Sequence, residues 1–132
     1  MITENYVSFE IAKLLKEKGF DVYGDGSYNS GIEIYKEYSP NGKLNSCATS
    51  KPNRKAYPAP TIQMAMKWLR KEHKMHCDIG YDDLDWFWNI LDIDNAVPVE
   101  ERPKIIKNGC AGYKSYEEAC EAAIKYCLEN LI

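Results

Sequence analysis

The strongest periodic pattern in the chain predicts a helix that begins after the prolines at positions 58 and 60. Its apolar positions recur at the spacing of one helical face: Ile62, Ala65, Met66 and Leu69. Met64 and Trp68 add a second apolar stripe beside the first. Because the apolar arc is so wide, we expect this helix to be buried on two sides.

Two strands are predicted directly after this helix. Met75–Tyr81 and Trp86–Ile93 are rich in aromatic and β-branched residues, and Asp82 and Asp83 between them are typical turn residues. The second of these strands carries apolar residues on both faces. Such a strand is usually central in its sheet or covered on both sides.

The flanking segments predict a similar alternation of helices and hairpins. Their predicted elements are a helix over Asn5–Lys18 capped at Ser8, a hairpin of Ile32–Tyr38 and Lys43–Ala48 around Asn41-Gly42, a surface loop over Thr49–Pro60, a short edge strand over Lys104–Lys107, a turn over Asn108–Tyr113, and a last helix from the capping box at Ser115 to about Asn130. The predicted order is helix, hairpin, helix, hairpin, helix. This order predicts a single α+β domain over residues 1–132, with a mainly antiparallel sheet on which the helices pack.

A spacing of 53 and 54 residues relates the three predicted helix starts, Ser8, Thr61 and Ser115. Each start is followed by a bulky apolar residue and, four places on, by alanine. Two explanations stay open. The chain contains a duplicated helix-plus-hairpin unit, or three helices have converged on a favourable start.

No apolar run approaches the roughly 18 residues that a membrane helix needs. Glu4 is acidic and no apolar segment follows it, so the N-terminus does not have the pattern of a signal peptide. We therefore expect a cytoplasmic protein with no membrane partner. The chain has five cysteines, an odd number, and no CxxC pair. We therefore expect the cysteines to be buried thiols rather than redox groups.

Candidate catalytic chemistry is sparse. His73, His76 and Cys77 are the one cluster with metal-ligand character, and no second ligand pair accompanies them. No nucleophile motif is present. Asp82, Asp83, Asp85, Asp92 and Asp94 crowd the second hairpin and could hold Mg²⁺ for phosphoryl transfer, but turn aspartates are the simpler interpretation. We predict no catalytic residue, no cofactor and no metal requirement.

Charge is distributed very unevenly, although the formal net charge is only −3. Residues 43–74 hold eight Lys/Arg and one Glu, a net charge of +7, whereas residues 76–101 hold six Asp, two Glu and no Lys/Arg, a net charge of −8. Either these blocks neutralise each other or are simply solvated, or the basic block binds a phosphate backbone or another partner. The candidate binding residues are Lys51, Arg54, Lys55, Tyr57, Lys67, Arg70, Lys71 and Lys74.

Three segments resemble short uncharacterised proteins of gut bacteria and their prophages: Val7–Phe20, Ala59–Arg70 and Ser115–Lys125. The resemblance covers all three predicted helices and includes no catalytic motif. It implies a phage or mobile-element accessory protein, and it assigns no functional residue.

These observations favour a small, non-catalytic binding or adaptor protein whose partner is another protein. The first alternative is a nucleic-acid-binding accessory protein that uses the basic block. The second is a metal-dependent phosphoryl-transfer enzyme that uses the acidic block.

Overall fold

The computed structural model describes residues 5–20, 34–48, 55–93 and 104–132, with the backbone alone for 34–35, 47–48 and 104–110. Contacts divide the chain into two compact units, Met1–Thr61 and Ile62–Ile132. The first unit contains α1 (Phe9–Glu17), β1 (Ile34–Tyr38), β2 (Leu44–Ala48) and β3 (Tyr57–Ala59). The second contains α2 (Ile62–His73), β4 (Met75–Asp82), β5 (Asp85–Asp92), β6 (Lys104–Tyr113), α3 (Tyr116–Tyr126) and a π-helical turn (Cys127–Leu131). The α+β class is confirmed, whereas the single domain over residues 1–132 stays a prediction.

Helix α1 has the predicted cap at Ser8 and the predicted glycine after its end, but it begins later than predicted. The Ser8 side chain caps the helix by accepting a hydrogen bond of 3.3 Å from the backbone N–H three residues on. Gly19 follows the helix with a φ of 99°, a conformation that favours glycine. The predicted start at Asn5 is wrong, because the preceding backbone is extended and the Val7 N–H donates to the carbonyl of Pro60 at 3.0 Å.

The sheet of the first unit has the strand order β2-β1-β3, and both pairings are antiparallel. The hairpin of β1 and β2 is confirmed. The surface loop predicted over Thr49–Pro60 is wrong in its last part, because β3 pairs with β1 through Glu37 and Pro58. Proline is tolerated there because β3 is an edge strand whose outer backbone groups need no partner in the sheet.

The sheet of the second unit has the order β4-β5-β6 and is antiparallel throughout. The apolar pattern on both faces of β5 predicts a central strand, and this is confirmed. Trp88 and Ile90 are buried on the face toward the helices, while Phe87 and Leu91 are half-buried on the other face.

Strand β6 is longer than predicted. The predicted edge strand ends at Lys107 and is followed by a turn, but β6 continues to Tyr113. The chain stays in the sheet because the β5–β6 register shifts at several points and Gly112 takes a φ of 102°. Such β-bulges absorb extra residues that would otherwise leave the strand.

Two helices cover one face of this second sheet. Helix α3 packs on β4 and β5, and α2 packs on β4 and α3. The predicted cap of α3 is confirmed at Ser115, whose hydroxyl accepts from the Glu118 N–H at 3.1 Å. The reciprocal bond of the capping box falls one residue earlier than predicted, because the Glu118 carboxylate accepts from the Lys114 N–H at 3.1 Å. The expectation that α2 is buried on two sides is wrong. Leu69 is fully buried, but Met64 on the second stripe is 45% exposed.

The predicted five-element order is also wrong, because a third strand extends each hairpin into a sheet. The two sheets are not topological copies. In the first sheet the central strand is β1, the first to occur in the chain, whereas in the second sheet it is β5, the middle of three consecutive strands. This difference counts against the duplicated unit and favours convergence on good helix starts.

Candidate functional site

The predicted binding residues are divided between the two units. Lys51 and Arg54 lie outside the described residues. Lys55 and Tyr57 belong to the first unit, and Lys55 is exposed. Tyr57 lies in β3, half-buried, with its ring 5.6 Å from that of Phe9 and 5.0 Å from Lys16 Nζ. Its described contacts are those of a packing residue within the first unit.

The other four predicted residues lie together on the outer side of α2 and just beyond its end. Three of them occupy positions i, i+3 and i+4 of the helix, and the fourth follows the helix with a φ of 55°; we call the four the basic face: Lys67, Arg70, Lys71 and Lys74. Residues at this spacing share one side of a helix. All are exposed except Arg70, which is half-buried. The structure therefore brings half of the predicted set into one cationic surface.

Three of the six aspartates of the second unit lie at the turn that joins β4 to β5. Asp82, Asp83 and Asp85 are exposed there, Asp78 and Asp92 are half-buried farther along the sheet, and Asp94 is outside the described residues. Eight residue steps of strand separate Lys74 from Asp82, roughly 26 Å at about 3.3 Å per residue. These three aspartates therefore do not neutralise the end of α2 where Lys74 lies.

The tip of this hairpin has a feature that the sequence analysis missed. Asp82 and Asp85 face each other in the register, so Asp83 and Leu84 alone make the turn. Their φ angles are 44° and 83°. A two-residue turn with both φ angles positive is the type I′ turn, which usually has glycine at its second position. Here that position is leucine, and its side chain is 85% exposed.

We call Asp82, Asp83, Leu84 and Asp85 the acidic tip. The tip combines an exposed apolar side chain, a backbone conformation that leucine rarely adopts, and three carboxylates. Tyr81, directly before the tip, adds a ring that is 56% exposed. In the sequence, the sign of this tip is a leucine enclosed by aspartates between two predicted strands. Turn composition alone points to the aspartates and not to the leucine.

Aromatic contacts hold the strands that carry this tip. The Tyr81 and Trp86 ring centroids are 5.0 Å apart, and those of Trp86 and Tyr116 are 5.5 Å apart. The Tyr116 hydroxyl accepts a hydrogen bond of 2.9 Å from Gln63 Nε2 at the start of α2. The tip thus projects from strands that are tied to both helices of the unit.

The opposite face of the same hairpin is tightly packed as well. The Phe87 ring lies against Gly80, so closely that a Cβ on this glycine would stand 2.3 Å from Phe87 Cζ. Aromatic packing over a cross-strand glycine pins the register of a strand pair. The hairpin is therefore a fixed support for Leu84.

The core beneath this hairpin contains three free, buried thiols, those of Cys77, Cys120 and Cys127. The hydrogen bond between Cys77 and Cys127, together with burial, raises the pKa of Cys77 far above its ordinary value. Burial raises the pKa of Cys120 to about 11. All three side chains are buried, as predicted, and a raised pKa keeps the thiols of Cys77 and Cys120 in the protonated, poorly nucleophilic form. For Cys47 and Cys110 the structure describes the backbone alone.

The three residues with metal-ligand character do not converge. The His73 ring packs edge-on against Trp68, with 4.7 Å between centroids. His76 and Cys77 are successive strand residues and point to opposite faces. Among the described residues, His76 Nδ1 is buried without a hydrogen-bond partner, and no three or more His, Cys, Asp or Glu side chains are grouped to hold a metal ion.

Comparison with known proteins identifies no relative of this chain: no family model, curated protein or solved structure matches it. Within the described part of the chain, no helix has both the length and the apolar character required to cross a membrane. The acidic tip and the basic face are thus the two surfaces of the described residues that suggest a function.

Proposed function

We propose that this chain is a non-catalytic protein-binding module and that the acidic tip is its docking element. The observation that carries the proposal is Leu84, which is 85% exposed at a φ of 83°. Neither property helps the chain to fold. An exposed leucine gains nothing from burial, and a left-handed conformation costs a residue with a Cβ about 1–2 kcal/mol.

Binding to a partner would bury the Leu84 side chain and so gain the burial free energy that folding does not. Complete burial of a leucine side chain in a partner's pocket contributes about 1.5–3 kcal/mol. Because the turn is fixed by paired strands and aromatic contacts, little conformational freedom would be lost when it binds. A rigid, exposed apolar residue is the kind of side chain around which binding energy concentrates.

The charges of the acidic tip define the chemistry of the partner. Three exposed carboxylates surround Leu84, so a complementary surface has an apolar pocket with lysine or arginine at its rim. Such rim charges speed encounter and exclude acidic surfaces more than they add affinity.

The experiment that tests the proposal places a photo-crosslinking phenylalanine analogue at position 84 and irradiates the protein in an extract of its source cells. A matched protein carries the analogue at Asn130, which is also exposed in the second unit. We expect one predominant protein adduct from position 84 and none from position 130. The absence of an adduct at 84, or the same adducts from both positions, contradicts the proposal.

Purified partner then allows a quantitative test. Leu84→Gly should weaken binding by about 10-fold to 150-fold, which is the loss of about 1.5–3 kcal/mol of leucine burial. Leu84→Met keeps an apolar side chain of similar volume and should retain affinity within about threefold. Equal binding by the glycine variant would show that the partner contacts another surface.

A second candidate function is nucleic-acid binding through the basic face. The specific observation is that Lys67, Arg70 and Lys71 share one side of α2 and that Lys74 follows directly after the helix, roughly 26 Å along the strand from Asp82. A cationic helix surface of this kind can contact a phosphate backbone without reading sequence.

Salt dependence distinguishes this candidate. The logarithm of affinity for duplex DNA should fall with the logarithm of salt concentration by about 0.9 per phosphate contact. Lys67→Ala combined with Lys71→Ala should reduce that slope by about 2, because two contacts are lost. Lys43→Ala combined with Lys114→Ala removes two exposed lysines elsewhere and should leave it unchanged. Negligible binding near physiological salt contradicts the candidate.

The phosphoryl-transfer alternative has less support. Its aspartates at the tip are exposed on a turn, and among the described residues no set of carboxylates encloses a position for a metal ion. Two-metal and one-metal phosphoryl chemistry both need such an enclosure.

A further inference from the structure

We infer that a second copy of this chain is a partner of the acidic tip, docking it on the outer side of α2. This inference rests on the proposed function, since it names an occupant for the same docking element. The receiving surface contains an exposed apolar side chain with lysines beside it, and both it and the tip belong to the second unit.

The receiving surface consists of four α2 residues at i, i+3, i+4 and i+7: Met64, Lys67, Trp68 and Lys71. Met64 is 45% exposed and Trp68 is half-buried, while Lys67 and Lys71 are exposed beside them. This is an apolar patch rimmed by cations. The acidic tip is an apolar side chain rimmed by anions, so the two surfaces are complementary in both hydrophobicity and charge.

The contact has to join two molecules. Leu84 is 85% exposed, so it does not reach Met64 within its own chain. The paired strands and the Tyr81–Trp86 contact keep the turn from folding back. Because the tip and the receiving surface are different patches, two copies can exchange the contact reciprocally in an isologous two-fold dimer. Alternatively, the contact repeats head to tail and forms a ring or an open chain of copies.

A contact between one turn and one helix face is small. Contacts below roughly 1,000 Å² are typical of weak and transient association. We therefore expect weak, reversible self-association that declines as salt rises, because exposed charges are screened. Methionine on the receiving surface suits such a contact, since its side chain adapts to the shape of an entering group.

Complementary charge reversal tests the inference by sedimentation velocity at protein concentrations up to several hundred micromolar. One variant carries Asp82→Lys and Asp85→Lys, and the other carries Lys67→Glu and Lys71→Glu. Each variant alone opposes like charges, and we expect at least tenfold weaker association. An equimolar mixture opposes unlike charges again and should restore association, which also shows that both variants are folded.

Two further variants complete the experiment. Leu84→Gly should abolish measurable self-association, whereas Glu17→Lys with Glu129→Lys reverses two exposed charges elsewhere and should leave it unchanged. A wild-type chain that stays monomeric over this concentration range, or a mixture that does not associate, overturns the inference. If position 84 still crosslinks to another protein in that case, the proposed function stands. If it crosslinks to nothing, both fail.

Discussion

The turns of the β1–β2 and β4–β5 hairpins both contain a residue with a positive φ angle, but the residue is glycine in one turn and leucine in the other. The first turn places Gly42 at a φ of 90°, and the second places Leu84 at a φ of 83°. Glycine reaches this region without a steric cost, whereas leucine does not. The φ angles at the two positions are nearly equal. The backbone conformation therefore does not explain why one residue is glycine and the other is leucine.

The surroundings of the two turns show what explains this difference. The Phe9 ring packs against the first turn, and a Cβ on Gly42 would stand 3.2 Å from Phe9 Cδ2. Phe9 also contacts Tyr38, with 5.4 Å between ring centroids, so the first turn is part of the packing of its unit. The second turn is open to solvent at Leu84. A turn that serves only folding would have glycine at this position, as the first turn does. A turn that serves binding would keep an exposed leucine there, as the second turn does.

The largest predicted effect concerns the support of the second hairpin. Leu69→Ala should lower the free energy of unfolding by about 2–5 kcal/mol, because Leu69 is fully buried and its truncation leaves a cavity. Met64→Ala on the same helix is the control and should cost under about 1 kcal/mol, since Met64 is 45% exposed. Both are measured by two-state denaturant titration. Equal losses would mean that the assignment of buried and outer faces on α2 is wrong.

Alkaline pH should also lower the stability of the core beneath the second hairpin. The pKa of Cys120 is raised to about 11 in the folded chain, so the protonated thiol is favoured by folding. Its contribution is fully present below the unfolded pKa near 8.5 and is lost as pH rises toward 11, by up to about 1.4 kcal/mol per pH unit. Denaturant titrations between pH 7 and 10.5 measure the slope, which Cys120→Ala should reduce. An unchanged slope in that variant would contradict the role of this thiol.

The first turn should be sensitive to any side chain at its glycine. Gly42→Ala should cost roughly 2 kcal/mol, because it combines a positive φ with displacement of the Phe9 ring. Gly19→Ala isolates the φ penalty, since nothing lies within 4 Å of its Cβ position, and should cost about 1 kcal/mol. Thermal unfolding of both variants compares them. If Gly19→Ala costs as much as Gly42→Ala, the Phe9 contact does not constrain the first turn.

Sequence patterns predicted those parts of the fold whose signals are local. Caps at Ser8 and Ser115, the Asn41-Gly42 turn and the central position of β5 all follow from side chains close to one another in the chain. Strand β3 and the second half of β6 did not follow. They contain proline or glycine, and their pairing depends on partners far along the sequence.

The candidate site was predicted only in part, for a related reason. The basic face follows from helical spacing at Lys67 and Lys71, which the sequence shows directly. The acidic tip depends on which residues of Asp82–Asp85 take positive φ angles, and this is fixed by the β4–β5 register. Turn composition alone assigned the aspartates to the turn and gave no role to Leu84.

The smallest predicted effect is also the sharpest test of the comparison, because it has opposite signs at the two hairpins. Leu84→Gly should raise the free energy of unfolding by about 0.5–1 kcal/mol, since relief of the left-handed leucine exceeds the entropy that glycine adds to the unfolded chain. Leu44→Gly, at a leucine that is 40% exposed in β2, should lower it by about 1 kcal/mol, because glycine weakens a strand. Paired denaturant titrations measure both changes. If Leu84→Gly is destabilising, the leucine contributes to folding and the comparison with Gly42 loses its meaning. If it stabilises the chain and also weakens partner binding or self-association, Leu84 is retained at the expense of stability, as expected of a residue that serves binding.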